Sequence, residues 1–130
     1  MLKASSKAIA RLSMDVSFDV NHVTVVIELM EHETSHDLIR LLPRKLELED
    51  YGSTEKISYL PEKLSIKNQP SGYKPVKGDV AYYAPWGNLA IFCHDFSFSP
   101  GLIKLGRVTQ GFDIVCQPGK SIIELKSHMK

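Results

Sequence analysis

The sequence has almost no net charge, no long apolar run and very little cysteine. Sixteen Lys and Arg stand against fifteen Asp and Glu, a balance of +1, which gives no electrostatic reason to bind a phosphate backbone or an anionic membrane. No apolar stretch approaches the roughly 18 residues of a membrane span. Residues 1–6 (MLKASS) have neither a long apolar core nor a clear cleavage site, so no secretory signal is expected there. The two cysteines, Cys93 and Cys116, form no CxxC pair and are too few for a disulfide scaffold in 130 residues. Both are expected as buried thiols in a reducing compartment. A nucleophilic cysteine is rejected, because only His94 adjoins Cys93 and neighbours on a strand point to opposite faces. Internal repeats and low-complexity segments are absent too. The composition, 43% hydrophobic and 24% charged, fits one cytoplasmic globular domain over residues 1–130, with 1–9 read as an N-terminal tail.

The signal that is present is short-period alternation. In residues 10–20, Leu12, Met14, Val16 and Phe18 fall on one face and Ser13, Asp15, Ser17 and Asp19 on the other, as a half-buried strand requires. Residues 22–29 (HVTVVIEL) are β-branched enough for a second strand, and the turn between them makes a hairpin. A single helix is expected next, capped by Thr34 or Ser35, with Asp37 in its first turn, a stripe of Leu38, Ile39, Leu41 and Leu42, and a stop at Pro43. Its stripe is expected to plug one open end of a β structure. Further strands are expected from Arg44 to the turn at Asp50–Gly52, and over 55–60, 79–84, 88–92, 103–108, 113–116 and 121–126. Pro85-Trp86-Gly87 marks a tight reversal, and residues 65–78 form a turn-rich loop with Pro70, Gly72, Pro75 and Gly78. Roughly eight short strands with one short helix point to a closed antiparallel barrel or a sandwich. Closure is favoured because few strands carry the charges or prolines that protect an open edge.

His32-Glu33-Thr34-Ser35-His36 spells HExxH, the zinc-peptidase pattern. That chemistry needs both histidines one turn apart on a continuous helix, with the glutamate as general base. Here His32 precedes the expected cap, the helix ends early at Pro43, and no third ligand stands at a recognisable spacing. A zinc hydrolase is therefore the least favoured reading, and neither a metal nor a cofactor is expected.

Three blocks carry a family resemblance: residues 52–65 (GSTEKISYLPEKLS), 78–92 (GDVAYYAPWGNLAIF) and 98–107 (FSPGLIKLGR). In this order and spacing the chain resembles the bacterial and archaeal cyclophilin-like domain family, small proteins of poorly defined function that share the cyclophilin β-barrel. The resemblance runs from about Leu12 to the last strand and implies that barrel. It does not imply the isomerase site. The FHR segment that bears the catalytic arginine of prolyl isomerases is missing, and Phe92-Cys93-His94 stands in the wrong place and order, so no catalytic residue is carried over.

The remaining chemistry is an aromatic concentration. Six of the eleven aromatics lie between Tyr82 and Phe98, namely Tyr82, Tyr83, Trp86, Phe92, Phe96 and Phe98. They either fill and cover the barrel or line a groove, and alternation forces Tyr82 and Tyr83 to opposite faces. Trp86 at a hairpin tip has little core to join and is a candidate anchor for a ligand. Arg107 sits in an otherwise apolar strand, where it pairs with Glu55 or Asp79 or holds a substrate carbonyl or carboxylate. Lys56 and Lys63 are read as solvated. The candidate ligand-binding set is Arg107, Trp86, Tyr82, Phe92, Glu55, Tyr59 and His94, with a peptide or small molecule as the expected partner. A weak or specialised peptidyl-prolyl isomerase using Arg107 as the polarising donor is the alternative.

Overall fold

The computed structural model describes residues 14–128; the residues of the first expected strand up to Ser13, Leu12 among them, and the 1–9 tail lie outside that range. The chain runs β1 (Asp15–Val20), β2 (Val23–Leu29), α1 (Glu33–Arg40), β3 (Arg44–Tyr51), β4 (Glu55–Tyr59) and β5 (Gly72–Tyr73). It continues through β6 (Asp79–Tyr83), β7 (Asn88–Phe92), β8 (Ser99–Pro100), β9 (Leu102–Gln110), α2 (Phe112–Val115) and β10 (Ser121–Ser127). Eight strands close into a barrel in the order β1-β10-β3-β4-β7-β6-β9-β2, and β5 and β8 form a separate two-stranded ribbon outside it. The pairs within the barrel are antiparallel. Closure leaves no barrel strand with an unpaired edge, as the scarcity of edge charges implied.

Alternation builds the interior. Val16, Phe18, Val25, Ile27, Val80, Tyr82, Leu105 and Leu125 point inward into one core cluster, joined by Leu38 from α1. The expected stripe of the helix thus reaches the core through Leu38. The space left inside is only about 20 Å³, less than a single small molecule needs. A ligand site therefore has to lie outside the barrel. Gly106 is where β9 passes closest to its neighbour: a Cβ there would run into the carbonyl oxygen of Glu28, and the β6–β9 register shifts beside it, between Val80 and Ala81.

Five local expectations are corrected. The helix cap is His32, whose Nδ1 accepts the Ser35 N–H at 3.2 Å; Thr34 and Ser35 lie inside the helix, buried, and Thr34 donates its hydroxyl to the Ser65 carbonyl at 2.6 Å. The segment read as a strand over 113–116 falls largely in the single helical turn α2, because Gly111 at φ 83° ends β9, and a segment of four residues is too short to show a decisive period. The ribbon β5–β8 was not foreseen. Lys56 is buried, not solvated: its ammonium lies 2.6 Å from Asp50 and donates to the Gly119 carbonyl at 2.8 Å. That ammonium and the Gly119 N–H hold the Asp50 carboxyl below the ordinary aspartate value. Finally, Cys93 and Cys116 are not thiols but a disulfide joining the end of β7 to the end of α2. Sequence separation hid this pairing, since 23 residues part the two sulfurs along the chain.

Two stability predictions follow from this packing. Gly106→Ala is expected to cost about 1–3 kcal/mol, as overpacking does, and unchanged thermal unfolding would contradict the close approach to β2. Replacing both cysteines by serine is expected to lower stability by roughly 3 kcal/mol through loop entropy. The parent unfolded in strong reductant should then match the double variant; a parent indifferent to reductant would show that no bridge forms.

Candidate functional site

The chain's own loop covers part of the outer face of the barrel. There β6 and β7 are buried on both faces, and Ile57, Ala81, Ala90, Phe92 and Leu102 make a second, smaller core cluster on the outside. The cover is the segment from Cys93 to Gly101 together with the residues before β6. Several bonds hold it. The disulfide fixes Cys93 to Cys116, the Lys77 N–H donates to Asp95 at 2.8 Å, and the Phe96 N–H donates to the Pro75 carbonyl at 3.1 Å. The Gly101 N–H donates to the Ser71 carbonyl at 2.7 Å, and β5 pairs with β8. Asp79, buried at the start of β6, accepts from the Tyr73 hydroxyl at 3.2 Å and the Val76 N–H at 3.1 Å, and Lys104 lies 3.6 Å from its other oxygen. Burial and the Asp79 carboxylate push the Tyr73 phenol far above its ordinary value. The turn-rich loop over 65–78 is therefore tied down at both ends, since Ser65 is also gripped by Thr34, Asp37 and Glu33 of α1.

Where this cover stops, a groove of about 350 Å³ opens on the outer face. Its walls are aromatic. Trp86 stands at the tip of the β6–β7 hairpin with its ring edge-on to two tyrosines, 5.6 Å from Tyr51 and 5.5 Å from Tyr83. Phe92 and Phe96 stack at 6.4 Å further along. These rings are presented rather than enclosed: Tyr51, Trp86, Phe96 and Phe98 keep 48, 50, 44 and 57% of their surface. Such edge-to-face and stacked contacts fix ring orientation at little entropic cost.

The strand register sets the polar groups. Glu55 is the cross-strand partner of Tyr51 on β3 and of Phe92 on β7, so its carboxylate stands between two aromatic neighbours. It is half-buried with no ion pair or hydrogen bond among the described residues, and burial alone pushes its carboxyl above the ordinary glutamate value. Asn88, nearly fully buried, also lines the groove. Its Nδ2 donates to the Leu89 carbonyl at 2.9 Å, and its Oδ1 finds no protein donor among the described residues. Among the described residues, no Lys, Arg or His lines the groove.

Of the candidate ligand-binding residues, Trp86, Phe92 and Glu55 come together here. The other four stand elsewhere. Tyr82 points into the barrel, where its hydroxyl accepts the Leu64 N–H at 3.0 Å. Tyr59 lies exposed on the outer face beside Asn88 in the ladder, and His94 is exposed beside the disulfide. Arg107 opens into a different depression, with Glu28, Glu31 and Lys104. It makes no ion pair with Glu55 or Asp79; Lys104 holds the Asp79 position instead. The groove residues that sequence reasoning left out of its set are Tyr51, Tyr83, Phe96, Phe98 and Asn88. Alternation carried the signal for Tyr83, which must face outward if Tyr82 faces inward, whereas Tyr51 and Asn88 come from distant segments and have no local mark. The HExxH segment supplies no metal ligand through His32: its Nδ1 accepts from Ser35, and its Nε2 lies 2.8 Å from the Lys104 carbonyl, which it meets as a donor. Both ring nitrogens are used, and no cluster of three metal-ligating side chains occurs among the described residues.

The raised Glu55 pKa has a sign in the stability curve. The folded chain holds this proton more tightly than the unfolded chain, so stability falls as pH rises from the ordinary glutamate value through the raised one. Urea unfolding between about pH 4 and pH 7 should show a shallower fall for Glu55→Gln than for the parent; parallel curves would contradict the burial of this carboxylate.

No curated protein matches the chain. Among solved structures, the solution structure of the hypothetical protein AF2241 from Archaeoglobus fulgidus superposes with a TM-score of 0.70 at 17% identity, covering 90% of this chain and 96% of that one. That likeness shows the fold. No helix among the described residues is long and apolar enough to cross a membrane. The family model described as Cyclophilin-like family matches residues 18–125, nearly all of the barrel and the whole of the groove, and the chain therefore belongs to the cyclophilin-like family.

Proposed function

We propose that this barrel is a binding module and that the aromatic groove takes a peptide or small molecule without altering it. The observation that carries this reading is the set of half-exposed rings held in fixed orientation over a buried floor, in a groove with no nucleophile–base pair. Among the described residues that line it, Ser97 and Ser99 have no histidine, lysine or aspartate for company, and Glu55 is the one ionisable group apart from tyrosines. Large exposed aromatics on a rigid frame are what binding hot spots are made of. The prolyl-isomerase alternative needs a donor that polarises the substrate carbonyl. Arg107, which was to supply it, lies in the other depression, and this favours binding over catalysis.

The test is a titration of ¹⁵N-labelled protein with a short Ala-Pro peptide, read by shift mapping and by cis–trans exchange in the same samples. Saturable shifts at the Trp86 indole and the amides of residues 96–99, 101 and 102 are expected, the amide shifts lost in Trp86→Ala and all of them retained in Arg107→Ala, with peptide exchange not accelerated. Shifts that follow Arg107 instead would move the site to the other depression. Accelerated exchange abolished by Arg107→Ala would establish the isomerase.

A further inference from the structure

Among the described residues, the groove offers acceptors and π-faces but no cation. Its charged group is the Glu55 carboxylate, held between Tyr51 and Phe92 by the strand register, half-buried and without an ion pair or hydrogen bond among the described residues. A second acceptor, Asn88 Oδ1, is buried in the floor without a protein donor. Leaving a buried carbonyl oxygen unpaired is unfavourable because its lost hydration is not replaced, and so is an unpaired carboxylate against apolar rings. Both costs are removed by a ligand that brings N–H donors and positive charge. Rings of Trp and Tyr add to this, because their faces attract cations once water is excluded.

From this we infer that the groove selects a primary alkylammonium group, presented as the lysine side chain of a peptide segment. The inference rests on the groove being the binding site and adds the chemistry of what it binds. Three features converge on a lysine. A carboxylate flanked by rings fits an ammonium with an aliphatic stem, since the stem packs on the aromatic walls while the head reaches Glu55. The exposure of Tyr51, Trp86, Phe96 and Phe98 leaves the groove open along its length. A free small amine would be enclosed in a site built for it, whereas an open trough admits a side chain whose backbone runs outside. Among the described residues no Lys, Arg or His lines the groove, so none of them competes for Glu55.

The experiment compares three probes on the full chain by the same shift mapping: the peptide acetyl-Gly-Lys-Gly-amide, its Nε-acetyl-lysine counterpart, and n-pentylamine. Acetylation removes the charge and keeps the stem. The lysine peptide should bind at least about tenfold more tightly than the acetylated one, a charge-assisted hydrogen bond plus a cation–π contact. Glu55→Gln, which keeps the shape of the side chain, should abolish that difference while the Trp86 indole still responds to both peptides. Equal binding of the two peptides by the parent would overturn the ammonium inference and leave the groove as the binding site. If n-pentylamine matches the lysine peptide, a peptide as the source is overturned. Loss of every shift at Trp86 and residues 96–102 with all three probes would overturn the groove itself.

Discussion

The β6–β7 wall is packed on both of its faces, and the aromatic groove depends on that. Inward, Val80, Tyr82, Leu89 and Ile91 join the barrel core; outward, Ala81, Ala90 and Phe92 are buried under the segment from Cys93 to Gly101. Strands dry on both sides read as near-continuous apolar runs, which is how NLAIF reads. The outer burial requires a cover that stays in place. The disulfide, the Phe96–Pro75 and Gly101–Ser71 backbone bonds and the β5–β8 ribbon supply it. The groove is the margin of this covered zone, so its walls inherit the rigidity of the cover.

A preformed site of this kind gains affinity by not having to order itself when a ligand arrives. Trp86 is placed by a tight reversal in which the Trp86 and Gly87 N–H groups both return to the Tyr83 carbonyl, and its ring is then fixed by two edge-on tyrosines. Glu55 is placed by ladder register alone. The polar character of the site follows from which residues of two neighbouring strands point outward. On β4, Lys56 turns inward to Asp50 and Gly119, and Glu55 turns outward to the rings. One strand thus separates its positive charge from its negative one, neutralising the first internally and leaving the second for the groove.

The fold was legible in the sequence because period-two alternation, β-branched runs and turn residues agree along nearly the whole chain. The barrel, the β1–β2 and β6–β7 hairpins, and the place of the single longer helix all follow from such local signals. What local signals lack is any record of tertiary partners. His32 displaced Thr34 and Ser35 as the cap because the Lys104 carbonyl orients its ring. Lys56 was buried because Asp50 and a turn near β10 await it. The two cysteines met because α2 folds back beside the end of β7. The candidate groove was legible only in part: Trp86, Phe92 and Glu55, which stood out from their surroundings, share it, but the separation of Arg107 from them is a fact of barrel closure, which sends that part of β9 to another depression. Tyr51 joins the groove for the same reason, from a strand that has no aromatic cluster of its own.

The central claim is that the cover over β6 and β7 is fixed before any ligand binds. Native-state amide hydrogen exchange on the free protein tests it most directly, at the Phe96 and Gly101 amides, which belong to no barrel strand. The account predicts that both exchange at least on the order of a hundredfold more slowly than an unstructured chain, at rates that rise together when Cys93 and Cys116 are replaced by serine. Exchange at the unstructured rate while the amides of β6 and β7 stay protected would show a closed barrel under a loose loop, and the preformed groove would be contradicted.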